Sequence, residues 1–114
     1  MVTADQTQRT YWIAAAEDDL HQQVDAFLLD RRIRGLASGT LRFYRQKLAL
    51  FQTFCGDQGV GMVTQISPTL IRQFLLWLSE TGHNSGGVHG CYRALRAFLN
   101  WWEGEYEPDN WRNA

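Results

Sequence analysis

Four stretches of the sequence bring apolar residues back every three or four positions, and nowhere does the chain alternate apolar and polar residues as a half-buried strand would. The first runs from Asp19 through Leu20, Val24, Phe27, Leu28 and Ile33 and is closed by Gly35. The second starts near Ser38 and reaches about Cys55, with Leu41, Tyr44, Leu48, Phe51 and Cys55 in one stripe and Gly56, Gly59 and Gly61 to end it. In the third, Ser67 caps and Pro68 takes the first helical position, where its missing N–H is not needed, and Gly82 closes. The fourth starts at Asn84 and carries Val88, Cys91, Tyr92, Leu95, Phe98, Leu99 and Trp102 on a wide apolar face. These segments predict an all-α bundle of four helices, five at most if the lead-in contributes one.

A chain of 114 residues, 45% of them apolar, suits one compact domain with a sizeable core. Residues 1–18 read as a polar lead-in around Tyr11 and Trp12, residues 19–104 as the folded domain, and residues 105–114, broken by Pro108, as a linker. No apolar run approaches the length of a membrane span, and no basic stretch followed by an apolar block opens the chain, so a cytoplasmic protein with no membrane partner is expected. Cys55 and Cys91 lie in separate segments without metal-ligand spacing and read as buried free thiols. His21, His83 and His89 are likewise dispersed, and "HGCYR" has nothing to complete a catalytic set. Gly82, Gly86 and Gly87 follow no strand and match no phosphate-loop pattern. No cofactor, metal or enzymatic activity is expected of this chain.

Charge is segregated along the sequence. Residues 1–30 hold one arginine against six acids, residues 31–47 hold five arginines and a lysine with no acid, and the rest nets −2, for a total of −1. Local field outweighs the near-neutral total. On a helical projection Arg42, Arg45, Gln46, Gln52 and Thr53 oppose the apolar stripe of the second helix, while Lys47 falls inside it and has to snorkel. His89, Arg93, Arg96 and Asn100 form one stripe on the fourth. Arginine forks and side-chain amides are what phosphates and base edges require.

The fourth helix also begins with Gly86, Gly87 and Gly90, although each glycine inside a helix costs about 0.5–1 kcal/mol relative to alanine. Bare backbone at a helix N-terminus lets a phosphate reach free N–H groups, so Gly86 and Gly87 suit the approach of a duplex backbone. Gly90 suits the same approach or a tight helix crossing. Polar faces of amphipathic helices are ordinarily only solvated surface, and glycines near a helix start accompany tight turns. On these features alone, duplex binding and a solvated face both stay open. Trp101 and Trp102 are adjacent and cannot both face inward, which leaves Trp101 for a partner domain.

The ordered strings "FLLDRRIRGLASGTLRFYRQKLALFQTFC", "VTQISPTLIRQFLLWLSETG" and "NSGGVHGCYRALRAFLNWW" resemble the N-terminal core-binding, SAM-like domain of tyrosine recombinases, the phage integrase family, over residues 20 to about 110. The resemblance implies a SAM-like orthogonal bundle that forms one side of a clamp on double-stranded DNA, with the catalytic arginine, histidine and tyrosine on a separate C-terminal domain. It also implies further recombinase protomers as partners on the DNA. Carried over position by position, Thr40, Arg42 and Arg45 fall in the contacting part of the second helix, and Asn84, Ser85, His89, Arg93 and Arg96 in that of the fourth. The chain departs from the family at Ala37, Ser38 and Gly39, where Ser, Pro and Lys are frequent, and at Gly87 and Gly90, where Thr and Arg are frequent. Asn110 and Trp111 replace the usual Asn-Pro exit. The alternative, from a different class, is a helical protein-interaction or oligomerisation module that does not bind DNA.

Overall fold

A computed structural model describes residues 17–106, within which the chain forms four α-helices and no strand. They are α1 (Leu20–Ile33), α2 (Ser38–Asp57), α3 (Pro68–Glu80) and α4 (Ser85–Tyr106), with a single 3-10 turn at Val63–Gln65 ahead of α3. The expected Tyr11, Trp12, Pro108, Asn110 and Trp111 features lie outside the described residues.

Most helix ends have a local reason. The Asp19 carboxylate accepts the Gln22 N–H at 2.9 Å to cap α1, and Ser67 Oγ accepts the Leu70 N–H at 3.1 Å to cap α3. Gly35 (φ +84°) and Gly82 (φ +98°) turn the chain out of α1 and α3 in the left-handed region open to glycine. Past Gly56, α2 continues to Asp57, and the turn is made at Gly59 (φ +73°). Likewise α4 passes through Gly104, the glycine expected to end it, and continues to Tyr106.

The core is built on the apolar stripes. Phe27 of α1 is fully buried at its centre, edge-on to Tyr44 of α2 at 5.2 Å and to Phe98 and Trp101 of α4, both at 5.7 Å. A second aromatic group joins Phe51 and Phe54 of α2 to Phe74 and Trp77 of α3. Helices α2 and α4 form the most extensive pair in the bundle. Both thiols are free and buried; desolvation pushes Cys55 up to about 12, which keeps it a neutral, unreactive thiol at physiological pH.

Three expectations are corrected. Ile33 is 76% exposed, because at 100° per residue it falls roughly 140° around α1 from Leu28 and points away from the core. Tyr92 is 36% exposed, because it lines an open groove between α3 and the start of α4. Trp101, assigned to a partner domain, is half-buried against Phe27, Phe98 and Tyr106 of this same bundle.

The chain ahead of α1 is fastened to the bundle. Glu17 carbonyl oxygen accepts the indole N–H of Trp102 at 2.7 Å, and the Asp18 carboxylate takes both the backbone N–H and the hydroxyl of Thr64, at 2.9 and 2.6 Å. An antiparallel bridge pairs Asp19 with Met62, and the Leu20 N–H donates to Gly61 carbonyl oxygen at 3.0 Å.

Candidate nucleic-acid interface

The N-terminus of α4 is capped from within. Asn84 Oδ1 accepts the Gly87 N–H at 2.8 Å, and Asn84 carbonyl oxygen accepts the Val88 N–H at 3.0 Å. Of the Asn84 side chain, the amide nitrogen is left to reach outward. Ser85 and His89 are exposed beside it and line the α3/α4 groove with Leu75, Ser79, Val88 and Tyr92, a space of about 370 Å³. A Cβ added at Gly86 or Gly87 would come no closer than 3.5 Å to the Asn84 oxygen, an ordinary contact. Internal packing therefore gives no reason for bare backbone at those two positions.

Gly90 has the opposite surroundings. It is buried at the crossing of α2 and α4, where a Cβ would meet Lys47 Cε at 3.4 Å and the Phe43 ring at 3.5 and 3.6 Å. Gly90 therefore sits at the helix crossing and not on an open face, but these too are ordinary contact distances that a methyl group would meet without a clash. The Phe43 ring, half-buried there, receives cations from both helices: the Arg93 guanidinium lies 5.6 Å from its centroid and the Lys47 ammonium 5.8 Å. Lys47 snorkels as its place in the apolar arc requires, and its charge is near enough to Cys91 to work against the upward pull of burial on that thiol. One ring thus receives a cation from each helix, Lys47 of α2 and Arg93 of α4.

Thr40, Arg42 and Arg45 are exposed along the N-terminal half of α2. The residue before α2 is Ala37, and no side chain caps the helix, so its first-turn N–H groups face outward without an internal acceptor among the described residues. Arg45 and Arg32 border a recess of about 220 Å³ between α1 and α2, shared with one acid, Asp25. Arg96 is half-buried and Asn100 exposed, farther along α4. The eight expected residues therefore form no single cluster. Asn84, Ser85 and His89 gather at the start of α4, Arg93 stands at the crossing, and Thr40, Arg42 and Arg45 follow α2.

Not all of the basic run is available. Asp30 accepts from Arg31 at 2.9 Å and from Arg34 at 3.0 Å, and Arg31 also covers the Phe27 ring at 5.1 Å. Among the described residues, Arg42, Arg45, Lys47 and Arg93 are in no ion pair. Phe43 is the participant that helical projection missed. Its signal was present: a phenylalanine four residues before a lysine places ring and ammonium on the same side of a helix.

Comparison with known families matches residues 24–106 to the phage integrase N-terminal SAM-like domain. No curated protein matches the chain, nor does any solved structure. With a four-helix bundle, the ordered motifs and a match over more than two thirds of its length, the chain belongs to the phage integrase N-terminal SAM-like domain family.

Proposed function

We propose that this domain holds duplex DNA for a site-specific tyrosine recombinase, with α2 and α4 laid against the groove and phosphates received at their N-terminal ends. Cutting and joining fall to a separate catalytic domain, and further protomers assemble on the same DNA. The observation that carries the reading is the crossing at Phe43. It sets a cation of each helix, Lys47 of α2 and Arg93 of α4, against one ring, while Arg42, Arg45 and Arg93 stay unpaired among the described residues. A basic face that served only solubility would have no need of that juxtaposition. Arg42, Arg45, Arg93 and Arg96 then account for up to four phosphate contacts, and each adds about 0.9 to the slope of log affinity against log salt. Titration of a fluorescently labelled duplex at several salt concentrations tests this. Binding at low salt with a slope of at least about 3 is expected, whereas no binding at low salt rejects the reading.

The glycines give a second measurement. Gly86→Ala and Gly87→Ala introduce no clash, so each should raise thermal stability by about 0.5 kcal/mol, the low end of the glycine cost, because both lie in the first turn. If a phosphate approaches there, the same changes weaken duplex binding. Melting curves and titrations on one preparation read both effects, and unchanged binding in the stabilised variants removes the first turn of α4 from the interface.

The α3/α4 groove favours a second reading, as a protein-interaction module. Leu75, Val88 and Tyr92 line it, and Leu76 on α3 is largely exposed. Sedimentation of the protein without DNA discriminates: concentration-dependent self-association supports this reading, and a monomer opposes it.

A further inference from the structure

We infer that Lys47 is a phosphate ligand at the α2/α4 crossing and that Phe43 is the positioning residue which holds Lys47 and Arg93 there; this rests on the DNA-holding function proposed above. Among the described residues only the Phe43 ring, and no carboxylate, accounts for a positive charge at position 47. The Lys47 stem crosses Gly90 as an uncharged chain of the same length would, with its Cε 3.4 Å from where a Cβ would stand. Its ammonium has no carboxylate among the described residues, and holding a long side chain in one place costs rotamer entropy. That cost is offset by packing of the stem over Gly90 and, at the ammonium, by the ring of Phe43, 5.8 Å away, which also takes the Arg93 guanidinium at 5.6 Å. Two cations gathered at one ring, without an acid between them, make a patch whose missing counter-charge is an anion from outside. On a surface laid against a duplex, that anion is the phosphodiester backbone.

The chemistry divides the roles. Lys47 acts as a strongly hydrated point charge that contacts phosphate without reading sequence, while Arg93 presents a planar fork beside it. Phe43 touches no DNA atom in this account. It narrows the positions open to both charges, so its loss scatters them without unfolding the crossing.

Three variants test this with a labelled duplex and a salt series, and thermal melting checks that each folds. Lys47→Met keeps the stem and removes the charge, and it should weaken binding about 3- to 10-fold while lowering the salt slope by about 0.9. Phe43→Leu should weaken binding to a similar extent, and Phe43→Trp, the stronger cation–π ring, should hold it near the unmodified protein. In the Phe43→Leu background, Lys47→Met should cost less than it does alone, because the ring acts through that lysine. An unchanged slope in Lys47→Met overturns the phosphate contact, and strictly additive losses, or Phe43→Leu binding as Phe43→Trp does, overturn the positioning role. If the unmodified protein binds no duplex at low salt, the DNA-holding function itself fails and takes this inference with it, a result distinct from failure of the variants alone.

Discussion

Reversing both Arg42 and Arg93 to glutamate should reduce duplex binding by about 100- to 10,000-fold, as two charge-assisted contacts of about 1.5–3 kcal/mol each are lost. Each reversal also places an acid against the phosphate chain, so the loss lies toward the upper end. The salt slope should fall by about 1.8, two contacts at about 0.9 each. Stability should barely change. Both side chains are exposed and unpaired among the described residues, and only the ring contact of Arg93 with Phe43 is given up, about 0.5–1 kcal/mol. Titration of the double variant beside a melting curve separates the two effects. Binding indistinguishable from the unmodified protein would move the interface to another face of the bundle.

The largest effect on stability is expected at Phe27. Its ring is fully buried and touches Tyr44, Phe98 and Trp101, so it unites α1, α2 and α4. Truncation to alanine removes the apolar transfer term and leaves a cavity walled by rings too stiff to collapse into it. Such changes cost about 3–5 kcal/mol, against a total of about 5–15 kcal/mol for a domain of this size. The melting temperature should drop by on the order of 15–25 °C, read by circular dichroism at 222 nm. Phe27→Leu fills much of the same space and should cost well under half as much. A drop of only a few degrees in the alanine variant would mean that the aromatic cluster is not the centre of the core.

Much of this architecture was legible because most helix ends, though not the start of α2 or the end of α4, carry their own signal. Asp19, Ser67 and Asn84 cap as their chemistry requires, and Gly35 and Gly82 stop helices by adopting a conformation closed to most side chains. Local signals have local consequences, so sequence suffices for them. Tyr92 shows where that stops: its place on the apolar face of α4 was correct, yet its exposure depends on the groove that α3 leaves beside it. Trp101 failed for a related reason, since a helix packed by two neighbours buries more than half its circumference. At the interface, the exposed positions on α2 and α4 could be read from helical phase. The pairing of Lys47 with Arg93 could not, because it arises from two segments more than forty residues apart in the chain. The count of basic residues overstated the field, because Asp30, which precedes the basic run, holds Arg31 and Arg34.

Glu17, Asp18 and Asp19 fasten onto Trp102, Thr64 and Met62, ahead of the first helix of the bundle. Homology becomes recognisable at Val24, one turn into α1. A protein trimmed to begin there would lose the cap of its first helix, the buried Leu20 and every stitch between its opening residues and the far end of α4. The stretch that matches the family is thus shorter than the stretch whose contacts stitch the bundle together.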